Sequence, residues 1–167
     1  MNRILSNKLF IKQSSQVFSN TSPRILVSGG FEIFHEGHLE YLNKADSLID
    51  RSRSGDKGSL FIIVNGDEFI RRKHKREPIF PEKFRAKLIS QLFPNALLTI
   101  YNKKDDVGDF LLEGYFDVFG NGGDRKQGNL NSREAKICKE KNIRMVSLGS
   151  KKLNSTSDII KNIKTLK

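Results

Sequence analysis

Ser28-Gly29-Gly30-Phe31-Glu32-Ile33-Phe34-His35-Glu36-Gly37-His38 places two imidazoles three residues apart behind a pair of glycines. Gly29 and Gly30 allow a sharp turn and a close backbone approach to a ligand, and His35 and His38 at a helix start project from one face. The first-turn N–H groups and the helix dipole add positive potential there, and Gly37 leaves room for a bulky anion. Such a constellation suits a polyphosphate, with both imidazoles donating hydrogen bonds to phosphoryl oxygens. The plainer readings are an incidental histidine pair or a zinc site. With His74 as the only other histidine and one distant cysteine, zinc has little support.

Positioning these side chains requires a strand before them and a helix after them. Ile25-Leu26-Val27 is a short, continuously apolar run of the kind buried on both faces of a parallel sheet. A helix is predicted from about Gly37 to Ile49, a second strand over Leu60-Val64, and a helix after Pro81 carrying Phe84, Leu88, Ile89 and Leu92. Strands over 96–101, 115–119 and 143–148 alternate with helices over 107–112 and 132–141, and a last helix begins near 155–157. Crossovers of this length make parallel pairing obligatory, so the pattern predicts a doubly wound, Rossmann-like α/β domain with a five-stranded parallel sheet and helices on both faces. Ligands in that architecture sit beyond the carboxyl ends of the strands, at the switch point.

The chain has 167 residues, with 30 Lys and Arg against 19 Asp and Glu, a formal net charge of +11. That field attracts anions but does not choose among nucleic acid, an acidic surface and a phosphorylated small molecule. No apolar run approaches the ~20 residues of a membrane span. Cys138 is the single cysteine, which excludes an internal disulfide and fits a reducing, cytoplasmic setting with a structural thiol. Residues 1–24 contain Arg3, Lys8, Lys12 and Arg24 but no carboxylate. They read as a basic N-terminal extension draped on a domain over 25–167, with an organellar presequence as the alternative.

Four further motifs follow the first in order. Val64-Asn65-Gly66-Asp67-Glu68 closes the second predicted strand, and the basic run Arg71-Arg72-Lys73-His74-Lys75-Arg76 leads to Pro78–Arg85. Asn121-Gly122-Gly123-Asp124-Arg125 follows the fourth predicted strand, and Ser155-Thr156-Ser157 opens the last helix. Together with the His-x-Gly-His core they resemble, over about residues 25–163, the nucleotidyltransferase superfamily of cytidylyltransferases and small adenylyltransferases. The heptose-1-phosphate adenylyltransferases and glycerol-3-phosphate cytidylyltransferases are the nearest branches by motif.

The resemblance implies transfer of AMP or CMP from a nucleoside triphosphate to a sugar phosphate or polyol phosphate, with release of pyrophosphate. His35, His38, Lys73 and Lys75 would then be catalytic. Gly29, Gly30, Phe31, Glu32, Gly37, Asp124, Ser155, Thr156 and Ser157 would hold the nucleotide, and Asp67, Arg71 and Arg125 the acceptor. Mg²⁺ would ride on the phosphates with no side-chain ligand, and a homodimer is expected. On the residues alone, the basic run is equally a solvated loop or a nucleic-acid patch, Ser155–Ser157 a helix cap, and Asp67 and Asp124 turn residues.

Three departures are visible. Glu32 stands where many relatives carry Asp. Gln91–Leu98 lacks the Arg before a Val-Asp-x-Val element, and Ser150-Lys151-Lys152 lacks the Arg before the closing signature, both common in cytidylyltransferases. The two missing arginines favour ATP over CTP. A rival of another class is a non-catalytic nucleic-acid-binding protein on the same scaffold, which would bind with a steep salt dependence.

Overall fold

The computed structural model describes residues 4–16, 23–49, 59–122, 132–149 and 156–165. Six strands form one sheet: β1 (Ile4–Leu5), β2 (Arg24–Gly29), β3 (Ser59–Asn65), β4 (Leu97–Tyr101), β5 (Val118–Asn121) and β6 (Arg144–Ser147). Their order is β1-β4-β3-β2-β5-β6, and every pair is parallel. The order reverses at β2, which lies between β3 and β5, so its carboxyl end is the switch point.

Alternate residues of the central strands serve two cores. Ile25, Val27, Leu60, Ile62 and Val64 face the layer of α2 (Glu36–Ser47) and α4 (Glu82–Leu92). Leu26, Phe61 and Ile63 face that of α1 (Asn7–Gln16), α5 (Gly108–Glu113) and α6 (Ser132–Glu140). Burial on both sides is why these strands read as unbroken apolar runs. Cys138 belongs to the second core; burial, then the nearby Glu134, pushes its thiol up to about 11, which makes it a packing group. Among the described residues no helix is long and apolar enough to cross a membrane.

The doubly wound parallel sheet agrees with the sequence reading, but it has six strands rather than five. The additional strand lies in the basic leader: Ile4 and Leu5 pair with Leu98 and Thr99, and the Thr99 hydroxyl donates to the Leu5 carbonyl at 2.9 Å. Phe10 on α1 is fully buried, its ring edge-on to Phe61 at 5.3 Å and to Phe110 at 5.6 Å. A two-residue edge strand carries no periodicity of its own; it exists because Phe10 fills the second core behind it.

A second difference concerns the basic run. Residues 67–74 form a helix, α3 (Asp67–His74), closed by Lys75 in the left-handed conformation at φ 54°. The stripe of α4 is also rotated from the sequence expectation. Its buried residues are Arg85, Ala86 and Ile89, whereas Phe84 and Leu92 are 47% and 46% exposed. The reason is Arg85, whose guanidinium reaches inward to carbonyls at the strand ends and sets which face turns in.

Candidate functional site

The β2–α2 turn carries the histidines. His35 is the N-cap of α2, in extended conformation, and its carbonyl accepts from the N–H groups of His38 at 2.9 Å and Leu39 at 3.1 Å. Its side chain makes no capping bond, which leaves the first turn of α2 without a side-chain cap. The Tyr41 hydroxyl donates to the Gly120 carbonyl of β5 at 2.8 Å, which fixes α2 across the switch point.

The two imidazoles stack, with ring centroids 3.8 Å apart and planes at 22°. Phe31 lies edge-on to His38 at 5.2 Å, and Phe34 packs at 5.7 Å. The paired-histidine geometry expected from the spacing is therefore present. The glycines act otherwise than expected: the residue in the left-handed region is Phe31, at φ 49°, and neither Gly29 nor Gly30 adopts it. That conformation costs a bulky residue roughly 1–2 kcal/mol, and such strain gathers at binding sites. Gly29 is needed because a Cβ there would lie 2.7 Å from the Phe31 ring. Removing the side chain at 29 lets Phe31 fold beneath His38.

Burial, then the charge of His35, lowers His38 to about 4 against a hydrogen bond with the Ile33 backbone, so the ring is neutral at pH 7. Its Nδ1 is buried without a hydrogen-bond partner. A buried orphan nitrogen costs free energy that a hydrogen-bond partner would restore. The linkage has a definite sign. The unfolded chain takes up this proton below the ordinary 6.5 and the folded chain only near 4, so the neutral ring's stabilisation is complete above 6.5 and is lost as pH falls from 6.5 toward 4. In urea melts at pH 7 and pH 5, wild type should lose more stability than His38→Gln; equal losses would contradict the depressed pKa.

Glu32, whose side chain is 4% exposed, is held in a bidentate pair by Arg76, with Nη2 to Oε2 at 2.8 Å, and its Oε1 accepts the Ile79 N–H at 2.9 Å. Burial alone would raise this carboxyl; Arg76 and the Ile79 N–H outweigh it and hold it below the ordinary range. The longer side chain at 32 thus spans from the histidine turn to the segment before α4.

Of the basic run, Arg71 pairs with Glu68 and Glu77, Arg72 with Asp105 and Arg76 with Glu32. Among the described residues no carboxylate engages Lys73 or Lys75; both are exposed, and Lys73 Nζ lies 5.4 Å from the Phe69 ring centroid. These two lysines are the members of the run open to an anion. Asp67 Oδ1 accepts from Arg85 Nη2 at 2.7 Å and from the Glu82 N–H at 2.9 Å, while Glu82 Oε2 accepts the Asp67 N–H at 2.7 Å. The two helices therefore cap each other. Gly37 lies in the first turn of α2, and Gly30 follows β2. Asp124, Arg125 and Ser155 lie outside the described residues; Thr156 and Ser157 begin α7 (Thr156–Thr165).

Arg85 is the residue that sequence reasoning missed. It is 1% exposed and donates to Gly30 O, to Asn65 O at 2.7 Å, to Phe80 O at 2.9 Å and to Asp67. One guanidinium thereby joins the ends of β2 and β3 to the start of α4. The available signal was an arginine inside the apolar spacing of a helix one turn past Pro81. Arg76 as partner of Glu32 had no such signal.

A family model described as cytidylyltransferase-like matches residues 26–162. The chain belongs to this family. This cytidylyltransferase-like chain is 32% identical over 140 residues to an FAD synthase of Korarchaeum cryptofilum, covering 84% of the chain and 90% of the relative. It is 30% identical over 145 residues to an FAD synthase of Thermoplasma acidophilum, covering 86% and 95%. A crystal structure named as a lipopolysaccharide core biosynthesis protein from Thermoplasma volcanium superposes with a TM-score of 0.58 at 26% identity, covering 78% of the chain and 98% of its own. The cytidylyltransferase-like chain is a nucleotidyltransferase, as its motifs implied.

Proposed function

We propose that this nucleotidyltransferase transfers the adenylyl group of ATP to the phosphate of flavin mononucleotide (FMN). An FMN phosphate oxygen bonds to the α-phosphorus, the bond from that phosphorus to the bridging oxygen breaks, and pyrophosphate leaves with FAD as the other product. Similarity over nearly the full length of two FAD synthases carries the choice of acceptor. It moves the acceptor away from the heptose or glycerol phosphate that the motifs alone implied.

Both reactants are anions, so the site must offset repulsion and hold them in line. The uncapped first turn of α2 receives the triphosphate, and His38, neutral when empty, gains a proton beside it. His35 stacks on His38 and holds its plane. Lys73 and Lys75 reach the facing phosphates as point charges, and Ser155, Thr156 and Ser157 with Asp124 and Arg125 complete the nucleotide and acceptor contacts. A divalent cation such as Mg²⁺ fits if carried on the triphosphate, where it would neutralise the departing pyrophosphate; among the described residues no group of three or more His, Cys, Asp or Glu could hold a metal. The +11 charge then serves to attract anionic substrates.

The Thermoplasma volcanium neighbour favours a second reading, a sugar phosphate acceptor. Incubation of the chain and Mg²⁺ with ATP or CTP against FMN, a heptose 1-phosphate and glycerol 3-phosphate separates the two. FAD and pyrophosphate are expected from ATP with FMN. Pyrophosphate from the sugar phosphate and none with FMN would replace the flavin reading by the second.

A further inference from the structure

We infer that Ile79, Phe80 and Phe84 form a shelf on which the isoalloxazine ring of the acceptor stacks, an inference that rests on the flavin reading above. The three side chains are 43%, 41% and 47% exposed, and the two phenyl rings lie 5.2 Å apart at 42°. Single exposed apolar residues are ordinary, but a contiguous aromatic cluster on a charged surface marks a binding face.

The shelf is anchored to the histidine turn through two side chains, Glu32 and Arg85. Glu32 accepts the Ile79 N–H at 2.9 Å, and Arg85 donates to Phe80 O at 2.9 Å and to Gly30 O. Glu32 and Gly30 flank Phe31, whose ring touches His38. Both anchors are buried, Glu32 to 4% and Arg85 to 1% exposure, so the apolar surface is held rigidly at the lip of the site and little ordering is needed on binding. A sugar phosphate, much of whose surface is hydroxyl, would gain less from such a surface. A flat tricyclic ring gains stacking, while its phosphate, on a short ribityl chain, can reach the histidine turn.

The rival occupant is a second copy of the chain, for which the stripe would continue along α4 to the exposed Leu92. Flavin titrations followed by fluorescence and visible absorbance, with sedimentation at the same protein concentrations, distinguish the two for wild type, Phe80→Ser/Phe84→Ser, Phe84→Tyr and Leu92→Lys. The double variant should weaken FMN binding by about ten-fold or more. Its affinity for a nonhydrolysable ATP analogue, its affinity for ribitol 5-phosphate and its unfolding midpoint should match wild type. Leu92→Lys should bind FMN as wild type does, and Phe84→Tyr, which keeps an aromatic ring, should bind it more tightly than the double variant.

Unchanged FMN affinity in the double variant overturns the shelf. So does a wild-type dimer that the double variant and Leu92→Lys both dissociate with FMN affinity intact. If wild type binds FMN through these residues and makes no FAD, the shelf stands and adenylyl transfer falls. If both proteins make FAD with the same KM for FMN, the shelf falls and adenylyl transfer stands.

Discussion

His38→Ala should lower FAD formation by about 10² to 10³, the loss typical of removing one donor aimed at developing charge, while the unfolding midpoint at pH 7 stays near wild type. The two halves of this expectation have one cause. His38 is neutral and buried with an orphan Nδ1, so the empty protein gains little from it. In the proposed reaction a triphosphate across the α2 turn would favour the imidazolium, and the ring would become a charged donor at the α-phosphate. The His38 ring resonances should therefore titrate near 4 in the free protein and at higher pH with a nonhydrolysable ATP analogue bound. Wild-type turnover in His38→Ala, or a ring pKa that ignores the analogue, would remove this residue from the chemistry. A variant that fails to fold would show instead that the stacking of Phe31 and Phe34 on the imidazole is structural.

Arg85→Met should cost about 3–5 kcal/mol, the range for breaking a buried charge pair from one side, which lowers the melting temperature by roughly 10 °C in a chain of this size. The substitution strands the carbonyls of Gly30, Asn65 and Phe80 and leaves the Asp67 carboxylate with the Glu82 N–H as its remaining partner. Arg85→Lys should recover little, because one ammonium cannot span acceptors that a planar fork reaches from three nitrogens. In a double-mutant cycle with Asp67→Asn, the losses should be strongly non-additive. Urea unfolding of the four proteins gives the answer. A change within about 0.5 kcal/mol, the scatter of ordinary surface substitutions, would mean that the guanidinium does not hold the strand ends to α4.

These two expectations lie on opposite sides of what could be read from the chain alone. The histidine pair was legible because its determinants are local. Three residues of helix spacing bring His35 and His38 onto one face, and the apolar runs on either side declare the strands that carry them. The buried guanidinium was not legible, because Arg85 finds its acceptors 5, 18, 20 and 55 positions away. The same holds for Arg76, paired with Glu32 across 44 residues. Helix periodicity alone placed Phe84 and Leu92 inward, and the inward pull of Arg85 turned them out.

From its residues the chain determined a parallel α/β sheet, the histidine turn at the switch point and a strong attraction for anions. Each follows from burial patterns a few residues long or from summed charge. Tertiary structure decided that a two-residue strand of the leader joins the sheet edge, that Gly29 makes room for Phe31, and that Arg85 and Glu32 tie the segment of Ile79 and Phe80 to the histidine turn. Such features depend on which distant surfaces meet, and a buried charge takes the partners that packing brings within hydrogen-bond reach.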